Sequence, residues 1–178
     1  FISDRDRDEV YDLYVASATR LRPPLKVSGT APNRGGVHDG VSAFAWSPDG
    51  TRLAFTSDDR SDDLPELYVV SETGIGLRRV SNAIPVREGR SMGVTEFAWS
   101  PDGTRLAYLA DEDRQGILEL HTVVPDGSSA IQVSGSLVAG GSVQDFVWSP
   151  ASDQLAFLAD RRSPGRAEVF TVPADGGI

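Results

Sequence analysis

The sequence predicts an all-β fold, a partial β-propeller of about four consecutive four-stranded antiparallel blades, the first and last of them incomplete. Three observations carry this expectation. A dodecamer recurs in the chain, as FAWSPDGTRLAF from Phe44 to Phe55, FAWSPDGTRLAY from Phe97 to Tyr108, and a worn FVWSPASDQLAF from Phe146 to Phe157. A second line follows each copy in register, ELYVV at Glu66, ELHTV at Glu119 and EVFTV at Glu168, and stands ahead of the first copy as DLYVA at Asp12. A third closes the unit, as LKVS ending at Ser28, LRRVS ending at Ser81 and IQVS ending at Ser134. The spacing of Trp46, Trp99 and Trp148, about 50 residues, is that of a propeller blade or another stacked repeat.

Within a unit each element follows from its residues. Strand A ends at Trp46, and strand B runs from Leu53 to Ser57. Strand C covers Leu67 to Val70, and strand D covers Leu77 to Ser81. Each is short, rich in β-branched and aromatic residues, and bounded by turn formers. No segment sustains a 3.6-residue apolar period, so no helix is expected. Ser47-Pro48-Asp49-Gly50 joins A to B as a bulged hairpin, with Pro fixing φ at the second position and Gly accepting the left-handed fourth. Ser100 to Gly103 repeats it, whereas Ala151, Ser152 and Asp153 after Pro150 predict a looser turn. The strands are apolar on both sides, as in sheets covered on both faces. The three tryptophans are expected in equivalent buried positions between blades.

Composition narrows the function. There are 26 acidic residues against 17 basic ones, a formal charge of −9, which repels phosphate backbones and argues against nucleic-acid binding. No apolar run of about 18 residues is present to span a membrane as a helix, and the first residues, FISDRDRDEV, do not form a signal peptide. There is no cysteine, which removes disulfides, thiolate metal sites and cysteine nucleophiles. Gly 18 and Pro 11 make up about a sixth of the chain and favour many turns.

The pattern F-x-W-S-P-D-G-T-R-L-A-F-x-S-D followed by E-L-Y-V-V resembles the WD-like β-propeller repeat of TolB-type proteins. The resemblance covers the whole chain in four units, 1–40, 41–93, 94–142 and 143–178. Phe1-Ile2-Ser3-Asp4 aligns with Phe55-Thr56-Ser57-Asp58, so the chain is expected to open inside a B strand and to stop before a D strand. Closed members of the family have six or more blades, so a larger parent chain or self-association is expected to complete the ring. The same repeat occurs in the periplasmic Tol–Pal component, in propellers attached to prolyl-oligopeptidase-like serine peptidases, and in bacterial surface proteins. The resemblance therefore implies a periplasmic or extracellular protein.

Four features of the sequence bear on chemistry. Gly89 to Gly93, GRSMG, matches the G-x-S-x-G elbow, but it leads into a strand rather than a helix, so Ser91 is not expected to be a nucleophile. Asp4, Asp6, Asp8 and Asp12 alternate like a calcium loop, yet Glu9 stands where the sharp turn needs Gly, and a solvated B–C loop is expected. His121 falls where other copies have Tyr14, Tyr68 and Phe170, and reads as a substituted core aromatic. The loops joining strand D to the next strand A, from Gly29 to Gly40, Asn82 to Gly93 and Gly135 to Ser142, crowd the channel mouth of a propeller. Arg34, His38, Asp39, Arg87, Glu88 and Arg90 on them are the expected binding residues. The reading is a non-catalytic binding or scaffold module for a protein or peptide, without cofactor or metal. The alternative is the substrate-gating propeller of a prolyl-oligopeptidase-like peptidase whose hydrolase domain lies elsewhere.

Overall fold

The structure is a computed structural model, and it describes all residues except 7, 20–21, 30–38, 59–63, 85–91, 129 and 178. The chain divides into two compact units, Phe1–Arg79 and Val80–Ile178. The described residues form fourteen strands and no helix.

The first unit holds two successive blades. β1 (Ile2–Ser3), β2 (Val10–Val15) and β3 (Leu25–Lys26) supply strands B, C and D of one. β4 (Asp39–Trp46), β5 (Arg52–Ser57), β6 (Glu66–Ser71) and β7 (Arg78–Arg79) supply A to D of the next. The strands within each blade are antiparallel neighbours. The blades are stitched by a short parallel bridge, Val10 opposite Asp39 and Tyr11 opposite Gly40. Gly40 is required there, since its φ is +111° and a Cβ would sit 2.2 Å from the Tyr11 carbonyl oxygen. Leu13, Val27, Val41, Leu53, Phe55, Tyr68 and Val70 form the core of this unit.

The second unit repeats the plan. β8 (Val94–Trp99), β9 (Leu106–Ala110), β10 (Glu119–Val123) and β11 (Ile131–Gln132) make a four-stranded sheet. β12 (Val143–Trp148), β13 (Gln154–Ala159) and β14 (Glu168–Pro173) make a three-stranded one. The blades meet again where strand A begins, with the Val143 amide donating to the Leu118 carbonyl at 2.9 Å. The core between them includes Leu109, Leu120, Phe146, Trp148, Leu155 and Phe157. β9 and β10 are buried at every position, whereas β14 alternates between half-buried and exposed. One face of the last sheet therefore lies open, with Val147 and Val169 more than 60% exposed.

Two expectations need correction. The tryptophans are not equally buried: Trp148 is 8% exposed, but Trp46 is 44% exposed. The Trp148 indole N–H donates to the Ala98 carbonyl at 3.2 Å, on strand A of the preceding blade. Among the described residues the blade preceding Trp46 supplies strands B, C and D, and none of them meets Trp46 as strand A of the third blade meets Trp148. The third hairpin is also not looser. Its Ser152 amide donates to the Ser149 carbonyl at 3.0 Å, as Gly50 does to Ser47 at 2.8 Å and Gly103 to Ser100 at 2.9 Å. Ser152 adopts the left-handed φ of 65° that glycine holds in the other copies. Its hydroxyl offsets that strain by accepting the Asp102 amide at 3.0 Å. Strand D is shorter than expected, two residues in each of the three described cases.

Candidate functional site

Each blade carries the same internal ladder. A ring on or just before strand B faces a ring on strand C: Phe1 stacks on Tyr14, Phe55 on Tyr68 and Tyr108 on His121, and Phe157 lies tilted against Phe170, with centroids 5.2 to 5.6 Å apart. The acidic residue two positions before the strand C ring is ion-paired in every blade. Lys26 holds Asp12 and Arg79 holds Glu66, both from strand D. Arg114 and Arg162 hold Glu119 and Glu168 from the B–C loop instead. In the second blade the Tyr68 hydroxyl donates to the remaining oxygen of Glu66 at 2.9 Å.

The third blade departs from its siblings at this point. Tyr108 replaces the Phe of strand B, and its hydroxyl donates to Glu112 Oε1 at 2.8 Å. Glu112 Oε2 accepts the Asn82 side-chain amide at 2.8 Å and lies 3.4 Å from His121 Nε2. Burial, reinforced by the Glu112 charge, drives the Tyr108 hydroxyl far above the usual phenol range, so it remains a donor. His121 is 1% exposed, and its Nδ1 faces the Glu119 carbonyl at 3.2 Å. Arg114 donates to Glu119 Oε1 at 3.0 and 3.2 Å and to the Leu137 carbonyl at 3.2 Å. Glu119 Oε2 is buried without a hydrogen-bond partner.

A second device positions the loops ahead of strand A. The aspartate that follows strand B acts as a clamp in three blades. Asp58 Oδ1 accepts the Gly40 amide at 2.7 Å. Asp111 accepts the amides of Met92, Gly93 and Gly116 at 2.9 to 3.1 Å. Asp160 accepts the Gly165 amide at 2.8 Å and the Gln144 side-chain amide at 3.2 Å. The start of strand A is thereby tied to the aspartate after strand B of its own sheet.

Of the expected binding residues, Arg34, His38, Arg87, Glu88 and Arg90 lie outside the described residues, as does Ser91. The backbone of Asp39 begins β4, and its side chain also lies outside the description. Met92 and Gly93 run directly into β8, so GRSMG is followed by a strand, as expected. Asp12 does not face a cation loop. It is 2% exposed and takes Lys26 and the Ser28 hydroxyl. Glu9 adopts φ 61°, making the turn that glycine would otherwise make. His121 is buried in the core as expected, and beside it stands a cluster that the repeat alone does not indicate, Glu112 with Asn82 and Tyr108. The available signal was the Tyr at 108, where Phe55 and Phe157 stand in the other copies.

This geometry defines an incomplete β-propeller of WD-like repeats. Comparison with known proteins agrees: the WD domain, G-beta repeat family matches residues 35–61. The fold is similar to that of a putative TolB from Agrobacterium tumefaciens, which superimposes with a TM-score of 0.55 over 95% of this chain and 55% of its own, at 19% identity. The tricorn protease structure gives a TM-score of 0.61 over 93% of this chain and 16% of its own, at 17% identity. A Bacillus subtilis protein called "Uncharacterized peptidase YuxL" is 45% identical over 91 residues, 51% of this chain and 13% of that protein. The chain thus corresponds to a minor part of the peptidase and about half of the TolB structure.

Proposed function

We propose that this chain is a non-catalytic binding module that presents the loops ahead of its A strands to a protein or peptide. The observation that supports this reading is the repeated aspartate clamp. Asp58 and Asp111 hold the amides of Gly40 and Gly93, where strand A begins, and Asp160 holds the Gln144 side chain of its strand A; function concentrates on loops set on such a frame. Arg34, His38, Asp39, Arg87, Glu88 and Arg90 would supply the contacts, and their excess of basic groups within an acidic chain suits an acidic peptide or a C-terminal carboxylate. A periplasmic or extracellular setting follows from the TolB likeness, and a further blade of a longer chain or a second copy would cover the open face at Val147 and Val169.

The test is binding of a labelled peptide library to the chain, followed by the Arg87→Ala/Arg90→Ala variant. Selective capture of acidic peptides that the variant loses supports the reading. Indiscriminate capture, or capture that the variant retains, refutes it.

A second reading is favoured by the 45% identity with YuxL over 91 residues: the module gates substrate entry to a serine hydrolase domain carried on the same polypeptide. The coding sequence beyond this segment tests it. A downstream G-x-S-x-G followed by Asp and His supports a gate, and further repeats alone refute it.

A further inference from the structure

We infer that Asp113, Glu119 and His121 form a binding site for a first-row divalent transition metal of the Zn2+ class, in the third blade. One ligand atom from each residue lies within 4.8 Å of the others. Ligands around tetrahedral zinc stand about 3.3–3.6 Å apart, given bonds of about 2.0–2.2 Å. Asp113 is exposed on the loop between β9 and β10, and closing the set around an ion would draw its carboxylate toward Glu119 and His121 in β10.

The independent observation is the Glu119 carboxylate. Its side chain is 1% exposed and its Oε2 has no hydrogen-bond partner. Leaving a buried carboxylate oxygen unmatched is among the costlier local arrangements a fold can hold. The repeat shows how it arises. In the second blade Tyr68 donates to the equivalent oxygen of Glu66. In the third blade the residue is His121, whose shorter ring cannot carry a donor to the same place. A metal bound between the imidazole and this carboxylate oxygen would supply the missing partner of Glu119 Oε2.

The surroundings suit such an ion. His121 Nδ1 faces the Glu119 carbonyl at 3.2 Å, and a proton held there would leave Nε2 as the ligating nitrogen, the metal taking the place of its 3.4 Å contact with Glu112 Oε2. Arg114 holds Glu119 Oε1 and so orients Oε2 without occupying it. Its positive charge is outweighed by Glu112, Asp113 and Glu119, and Glu112 Oε2 stands 3.4 Å from Nε2. The imidazole selects against Ca2+ and Mg2+, which take oxygen ligands.

The test uses the full chain, stripped with a chelator and titrated by calorimetry with Zn2+, with Mg2+ and Ca2+ in parallel. One Zn2+ per chain is expected, with no heat from Mg2+ or Ca2+. Co2+ loading is expected to give the visible absorption of a tetrahedral site. His121→Tyr recreates the Tyr–Glu pair of the second blade, so it should fold at least as stably while losing Zn2+ and the Co2+ spectrum. Asp113→Asn, on the surface, should weaken Zn2+ binding by about 10-fold or more. Loss in both variants supports the site. Absence of Zn2+ binding in the parent chain, or unchanged binding in either variant, overturns it.

Discussion

Replacing Asp111 by Asn isolates the clamp from shape, because the two side chains are nearly isosteric. Asp111 is 2% exposed, and both of its oxygens face backbone donors: Oδ1 takes Met92 and Gly93, and Oδ2 takes Met92 and Gly116. An amide keeps one oxygen. Whichever way it turns, its NH2 meets an N–H and both donors are left wanting. A charge-assisted bond is worth about 1.5–3 kcal/mol and an orphaned buried donor costs about 1–3 kcal/mol, so the overlapping losses come to about 3 kcal/mol. Asp160→Asn is the internal control. Its oxygen can stay on the Gly165 amide while its NH2 donates to a Gln144 amide turned to offer its carbonyl, so the cost is about 1 kcal/mol. Both sites lie in the same compact unit. Urea denaturation should separate the variants by about 2 kcal/mol, and calorimetry should place Tm about 6–12 °C below the parent for Asp111→Asn. Hydrogen exchange at Gly93 and Gly116 should quicken in that variant alone. Equal destabilisation of the two variants, within about 0.5 kcal/mol, would refute the clamp.

Other outcomes follow from the same geometry. Gly50→Ala meets no atom within 4 Å and carries only the strain of φ +69°, so denaturant melts should show a loss of about 1–2 kcal/mol. Gly40→Ala should cost at least twice as much, because its Cβ would press on the Tyr11 carbonyl and part the β2–β4 bridge. Asp49 and Asp102 are held at about 2, against the usual 3.8, chiefly by the hydroxyls of Ser47 and Ser100 and then by the amides of Thr51 and Thr104. A carboxylate depressed in the folded state adds stability above its unfolded value, and that stability fades as pH falls from about 4 to about 2. The Asp49→Asn/Asp102→Asn variant should therefore show a shallower acid slope in that window, and an unchanged slope would contradict the assignment. The chain alone should not hydrolyse an activated ester; steady turnover abolished by Ser91→Ala would overturn this. Sedimentation should show association that Val147→Asp and Val169→Asp weaken, since these two side chains lead the exposed apolar face of the last sheet; a monomer at all concentrations would count against it.

The fold was legible because the repeat is a backbone requirement written in side chains. The serine that closes the hairpin, Ser47, Ser100 or Ser149, recurs wherever that hairpin recurs, and the ring pairs recur wherever strands B and C lie side by side. The misreadings share one cause. Trp46 and Trp148 have the same local sequence, but burial is decided by what the neighbouring blade offers, which a repeat does not record. Ser152 suggests a loose turn because glycine is the usual left-handed residue, but the compensating bond to the Asp102 amide joins residues 50 apart in sequence. The aspartate clamps were visible as the Asp of Ser-Asp and Ala-Asp after each B strand, yet nothing in the spacing said which amides they would take.

Repeats that share a frame also make their differences informative. In the second blade Phe55 and Tyr68 stack, and the Tyr68 hydroxyl satisfies Glu66, leaving that carboxylate fully partnered by Tyr68 and Arg79. The third blade keeps the stack and moves the hydroxyl to the other ring, at Tyr108, where it serves Glu112. This exchange brings a second carboxylate into the buried layer, places an imidazole between Glu112 and the Glu119 backbone, and strands Glu119 Oε2. A sequence optimised only for stability would restore Phe and Tyr, as the second blade shows is possible on the same backbone. Local rules broken without a compensating structural gain concentrate where function is held. On that ground the third blade, and not the three-fold repeat that declares the fold, is where a search for this protein's ligand chemistry should begin.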